Sequence, residues 1–409
     1  GNLCKLGSLP AEPLRSADAL AGLAERMQDT DSARRSAALE LIAQASLDPD
    51  SRHALVSVGA PQMLVGVLAA GGAHACHATQ ALAQFAADER YRGQLAAWGA
   101  LPPLSNHIGA NSQADARSRA AALSAVANVS YTDAHALVSA GAPAKIAELL
   151  FETDAPMLRM ALSALTNMLL APPAEAESQS PAAKIGPPLM AAGGAHALAI
   201  LLGSADTEIR AHAASAAAAM ASVPALVAAL ADAGAATALV AIVKAEGPAR
   251  SGGALAAARA LNAMVVNDAA RNEARKAGGA RALGAALEAS DTQEGRTLYA
   301  LTLASLLRGD WADAFEAAGW QPVLSALSLD SPTSALRLGV AQGAGKLLAM
   351  PAARTQLAAD AHALHFVATT LARIAQDTAP GAAEAADIAR GASVGLAATL
   401  QCDVTELRA

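Results

Sequence analysis

Aromatic side chains make up only 2 % of the 409 residues, ten in all, and only six of the 29 basic residues are lysine. So few rings leave no base-stacking platforms. A net charge of -7 leaves no phosphate-tracking basic face. Nucleic acid is therefore not an expected partner. Three cysteines, Cys4, Cys76 and Cys402, are too few and too dispersed for a disulfide framework. The longest uncharged run, 213–231 (AASAAAAMASVPALVAALA), has the length of a membrane span but is mostly alanine and is broken by Pro224. It reads as two buried helices. Arginine outnumbers lysine 23 to 6, but the arginines are scattered and read as a compositional bias that also favours alanine.

What the chain has in abundance is alanine, within a hydrophobic content of 54 %. Alanine is the best helix former, so the expected class is all-α. Each alanine buries little area, so stability has to come from closely packed helices.

The chain also repeats itself. Residues 54–68 (ALVSVGAPQMLVGVL) and 136–150 (ALVSAGAPAKIAELL) are identical at eight of fifteen positions. The glycine in this context recurs as Gly59, Gly99, Gly141, Gly193, Gly234, Gly278 and Gly319, at spacings of 40, 42, 52, 41, 44 and 41, with Asp360 in the next equivalent place. A fixed period in this range marks a solenoid whose units bury their apolar faces against their neighbours. Within a unit, a short helix ends in the glycine, a second of about ten residues follows, and a polar break leads to a longer third. A sharp helix–helix corner needs positive φ, which glycine adopts without steric cost and aspartate tolerates next best.

"VSAGAPAKIAELL" followed by "MLRMALSALTNML" matches in all three helices the consensus of the armadillo-repeat family, which the sequence resembles over about residues 30–375. The resemblance implies an all-α, right-handed α-α superhelix, an armadillo-type solenoid. The expected organisation is an N-terminal tail over 1–14 and one solenoid over 15–409. The 52-residue spacing marks a loop insertion at 171–188 (APPAEAESQSPAAKIGPP), in which Ser178 and Ser180 are candidate modification positions and a tolerated insertion is the plainer reading.

Signals of chemistry fail on spacing. GVAQGAGK (339–346) has Val340 and Leu347 where a phosphate-binding loop needs glycine and a hydroxyl. His74, Cys76 and His77, with His362 and His365, are the only local groupings of metal-ligating types, and no second cluster completes a four-ligand site. No cofactor, metal or catalytic residue is expected, and the chain does not read as an enzyme. Gly1 and Cys4 resemble an acylated terminus, but Lys5 stands where that pattern wants serine or threonine. A processed or engineered end explains Gly1 equally well.

In the armadillo family an asparagine on each third helix lines a concave groove and hydrogen-bonds the backbone of an extended peptide. Carried over by position, that ladder is Gln44, Gln84, Asn128, Asn167, Ala219, Ala263 (or Asn262), Ser305 and Lys346. The candidate partner-binding residues are the four amides, Gln44, Gln84, Asn128 and Asn167. An amide offers both the donor and the acceptor that a bound backbone needs, although such groups also cap neighbouring helix ends. Four residues before each ladder position, where nuclear-import adaptors carry tryptophan, stand Glu40, Gln80, Ser124 and Ser163 among others, and none is aromatic. The resemblance thus implies a protein-binding scaffold or adaptor holding a partner segment in its groove. The alternative is a permanent structural or linker subunit of a large organellar-membrane or cytoskeletal assembly. The expected partner is protein, with membrane association only through that partner or the terminal anchor at Gly1 and Cys4. The compartment, cytoplasmic or organellar, stays open.

Overall fold

A computed structural model describes residues 17–109, 114–172, 181–246, 252–306, 320, 344–376, 390–391 and 394. The expectations on Gly1, Cys4, Ser178, Ser180, Gly319 and Cys402 lie outside these. No strand occurs among the described residues. No single helix among them is long and apolar enough to cross a membrane. The chain divides into two compact units, residues 1–197 and 198–409.

In the first unit, α1 (Ala17–Arg26) and α2 (Ser32–Ala45) precede three complete three-helix repeats. These are α3 (Pro49–Ser57), α4 (Ala60–Ala70) and α5 (Ala75–Ala87); α6 (Glu89–Arg92), α7 (Leu101–Ile108) and α8 (Ala116–Ser130); and α9 (Ala134–Ser139), α10 (Ala142–Leu149) and α11 (Ala155–Leu170). The third helices α2, α5, α8 and α11 pack side by side in that order. Their inward faces bury Leu39, Ile42, Leu82, Phe85, Leu123, Val126, Leu162 and Leu165. The second repeat has a one-turn first helix, and an aromatic cluster fills the space beside it. Phe85 meets Tyr91 and Trp98 edge-on at 5.8 and 5.6 Å, and Tyr91 stacks on Trp98.

The unit boundary falls within α13. α12 (Pro181–Ala191), α13 (Gly194–Leu202) and α14 (Thr207–Met220) follow in the chain, then α15 (Pro224–Asp232), α16 (Ala235–Glu246) and α17 (Gly252–Met264), then α18 (Asp268–Lys276), α19 (Gly279–Ala289) and α20 (Gln293–Leu306). Beyond these lie α21 (Pro351–Ala358) and α22 (Ala361–Gln376). The uncharged run 213–231 resolves into the end of α14 and most of α15, with Pro224 at the first turn of the latter.

Every described corner glycine is left-handed: φ is 74° at Gly59, 73° at Gly99, 78° at Gly141, 74° at Gly193, 78° at Gly234 and 83° at Gly278. Across Gly59 the chain bends by 86°, and across Gly234 by 79°. A Cβ built on Gly141 or Gly278 meets nothing within 4 Å. The requirement for glycine there is conformational, and a β-branched residue would cost on the order of 1–3 kcal/mol. Asp360 manages the next corner through its side chain, which accepts a hydrogen bond from the Ala363 N–H at 3.0 Å.

Residues 181–188, expected inside the inserted loop, form most of α12. Pro181 opens that helix, where its missing N–H costs nothing. Ala182, Ile185 and Leu189 are fully or almost fully buried and supply a helical apolar stripe. The proline content that reads as loop thus includes a helix start, and Pro187 and Pro188 are carried within the helix.

Five of the arginines share a task that their scatter along the sequence did not announce. Arg52 donates to the carbonyls of Ser46 and Leu47 at 2.6 and 3.1 Å. Arg92 donates to those of Ala86 and Ala87 at 2.9 and 3.2 Å. Arg210 donates to Ser204 and Ala205 at 2.8 and 3.1 Å, Arg271 to Val265 at 3.0 Å, and Arg35 to Asp29 through two nitrogens. In each case the side chain reaches back five or six residues to carbonyls left unpaired at or just past the end of a helix. A planar fork with several N–H groups suits this and a lysine does not. Two of these arginines also bridge repeats: Arg52 pairs with Asp88 at 3.0 Å and Arg210 with Glu246 at 2.5 Å, all four side chains being less than one-fifth exposed.

Candidate functional site

Asp31, Asp115 and Asp154 accept from backbone N–H groups in the first turns of α2, α8 and α11, fixing where these third helices begin. Each such cap is worth about 1 kcal/mol. With the apolar faces buried, the outward stripe of each helix is set by the 3.6-residue period. On that stripe Gln44 is exposed, and Gln84, Asn128 and Asn167 are half-buried.

The structure brings two of the four amides together. Gln44 and Gln84 line one trough of about 430 Å3 across α2, α5 and α8, together with Glu40, His77, Gln80 and Arg117. Asn128 and Asn167 are not among its lining residues. Asn167 Nδ2 donates to Ser130 Oγ at 3.0 Å, so this amide is partly engaged within the chain. Further along, Ala219 is buried. Of the two registers considered at the following position, Asn262 is the one that meets the neighbouring third helix: its Oδ1 accepts from Ser305 Oγ at 3.4 Å.

Tyr131 figured in no sequence expectation. It caps the C-terminal end of α8 and is 66 % exposed, with Ser163 and Asn167 of α11 beside its hydroxyl. The Ser163 bond, then that of Asn167, holds its phenol below the ordinary tyrosine range. Its register was visible in outline. The residue three past each ladder position is Leu47, Ala87, Tyr131 or Leu170, and Leu47 and Leu170 are as exposed as Tyr131.

The HACH histidines and cysteine part company. His77 faces the trough, while His74 lies within 3.3 Å of Ser32 Oγ. Cys76 opens onto a second cavity, of about 590 Å3, shared with His107, Asp115 and Ser118. His107 Nε2 lies 2.7 Å from Ser118 Oγ, and Asp115 accepts from the Ser118 N–H at 2.6 Å. Burial, and then Asp115, pushes the Cys76 thiol up, and burial pushes His107 down. A thiol kept protonated and a Ser118 only 1 % exposed are not activated nucleophiles. The cluster ties the start of α8 to the end of α7. Among the described residues no group of three or more His, Cys, Asp or Glu side chains is placed to hold a metal ion.

No family model and no curated protein matches the chain. Solved structures do. An engineered protein from the Northeast Structural Genomics Consortium is similar at a TM-score of 0.67 and 23 % identity, covering 95 % of this chain and 93 % of its own. A computationally designed armadillo repeat protein for modular peptide recognition is similar at a TM-score of 0.50 and 25 % identity, covering 60 % of this chain and 99 % of its own. Three-helix repeats, left-handed glycine corners and these structural neighbours together give the chain an armadillo-like, all-helical solenoid fold.

Proposed function

We propose that the chain is a non-enzymatic protein-binding scaffold that holds an extended partner segment along its third helices, with Gln44 and Gln84 as primary backbone contacts and Asn128 and Asn167 continuing the row. The observation that carries this reading is the trough on α2, α5 and α8, in which Gln44 and Gln84 converge with Gln80. A stretched backbone has unmet donors and acceptors at regular intervals, and a row of primary amides answers both. The neighbour described as designed for modular peptide recognition supports the same use of the fold. Each net bond is worth about 0.5–1.5 kcal/mol, so loss of two weakens binding by about tenfold.

The test is selection of twelve-residue peptides from a random display library on the immobilised chain, followed by titration against wild type and the Gln44→Ala/Gln84→Ala variant. The expected result is clones whose affinity falls about tenfold in the variant while its melting temperature holds. Clones that bind both proteins equally would remove the amide row as the binding surface.

A second reading, a permanent subunit of a larger assembly, is favoured by the exposed Leu47, Tyr131 and Leu170. Apolar residues repeated at one register are a surface that a fixed neighbour would cover. Sedimentation of the isolated chain separates the two: a monodisperse monomer supports the adaptor, and concentration-dependent self-association relieved by Leu47→Ser and Leu170→Ser supports the subunit.

A further inference from the structure

Resting on the groove reading, we propose that the bound segment is of mixed charge and fixed polarity, with a basic side chain over Glu40 on α2 and an acidic one over Arg117 on α8. Both residues are exposed, and both line the same trough. Among the described residues neither has an ion-pair or hydrogen-bond partner, whereas Arg35, Arg52, Arg92 and Arg119 nearby are all engaged in helix-end caps or ion pairs. Between the two charges, on α5, stand Gln80 and Gln84.

This arrangement discriminates by sign at both ends. A uniformly basic segment meets Glu40 favourably and Arg117 unfavourably, and a uniformly acidic one does the reverse. Only a segment with opposite charges in the matching order satisfies both. The separation follows from the helix row. Glu40 and Arg117 lie two helices apart, and neighbouring axes stand about 8–10 Å apart, so the charges are separated across the row by roughly 16–20 Å. Glu40 stands four residues before Gln44 and Arg117 eleven before Asn128, which adds about 10 Å along the helices, and an extended chain advancing about 3.3 Å per residue spans the resulting distance in six or seven residues. The two charges therefore also set which way along the helix row the segment runs. Backbone amide contacts alone, which accept a chain in either direction, do not set this.

The probes are two fluorescein-labelled twelve-residue peptides of identical composition, Ser, Thr and Gln with one lysine and one glutamate six residues apart, differing only in the order of the two charges. The expected result on wild type is about tenfold tighter binding of one order at low salt, shrinking as salt is raised to screen exposed charges. In Glu40→Lys/Arg117→Glu the preference reverses. Since both side chains are exposed, the melting temperature should be unchanged, which confirms that the swap reads recognition and not folding. Equal binding of both orders to wild type, or an order that survives the charge swap, would overturn the proposal. If that equal binding is still lost in Gln44→Ala/Gln84→Ala, the groove reading stands without the polarity. If neither peptide binds while library-selected clones do, the polarity proposal alone fails. If no library clone depends on the amides, both fall.

Discussion

The third helices of the two units fill the same repeat position differently, most clearly at Ala219. In residues 1–197 the ladder positions carry Gln44, Gln84, Asn128 and Asn167, all exposed or half-buried. In residues 198–409 they carry Ala219, 1 % exposed, then Asn262 or Ala263 and Ser305, all half-buried, and the exposed Lys346. The alanine at 219 goes with close approach. α14 and α17 pack through Ala213, Ala216, Ala217, Ala257 and Ala260, all fully buried. At Gly253, at the start of α17, a Cβ would lie 3.5 Å from the Cβ of Ala211 on α14. The comparison teaches that one repeat position trades surface for packing: an amide keeps a polar face open, and an alanine gives that face to a neighbouring helix.

The comparison is broken hardest at Arg210. Removing it takes the Arg210 ion pair from Glu246, which is 8 % exposed, and Arg210→Ala should cost about 3 kcal/mol in urea unfolding, against about 1 kcal/mol or less for Arg259→Ala at the exposed Arg259–Glu294 pair. Equal losses would mean that the buried pair does not hold the second unit together.

The first unit has a half-buried carboxylate in Asp88. Arg90, and then the bond from Arg52, holds it well below the usual carboxylate range against the opposing effect of burial. Asp88→Asn should cost about 1.5–3 kcal/mol at neutral pH. Because the folded pKa lies below the unfolded value of about 3.9, this stability is fully present above pH ~5 and is lost as pH falls through and below ~4. The variant should show a shallower acid limb than wild type, and an unchanged limb would remove Asp88 as its source.

The smallest effects sharpen the contrast of the ladder itself. Ala219→Gln should destabilise by about 1–3 kcal/mol through overpacking, while Gln44→Ala changes stability by about 0.5 kcal/mol or less. If Ala219→Gln is tolerated as easily, the second unit is more open than its alanines imply.

Much of this fold was legible in the sequence because its corners rest on one backbone requirement. Positive φ selects glycine wherever it occurs, so Gly59, Gly99, Gly141, Gly193, Gly234 and Gly278 announce themselves by residue type alone. Helix α12 was hidden because Pro181, Pro187 and Pro188 outweigh the three buried apolar residues of its stripe in any compositional reading. The arginine caps were hidden because their partners are carbonyls, which have no identity in a sequence. Of the site, the positions of Gln44 and Gln84 were readable from the repeat register. The engagement of Asn167 with Ser130 and Tyr131 was not, since it depends on side chains meeting between repeats 37 and 36 residues apart in the chain.

The arginine caps also decide where such a chain can be cut and lengthened by gene duplication. Arg52 ties its repeat to Ser46 and Leu47, and Arg92 ties the next to Ala86 and Ala87, so any seam placed between a third helix and the following first helix separates a cap from its carbonyls. A seam at the glycine corner severs neither. The cassette that duplicates cleanly is therefore Ala60–Gly99, forty residues beginning in a second helix and ending in a corner, and each new copy brings its own Asp88 to meet the arginine before it. The sequence repeat as the eye divides it and the unit that inheritance can copy without damage are out of phase by one short helix.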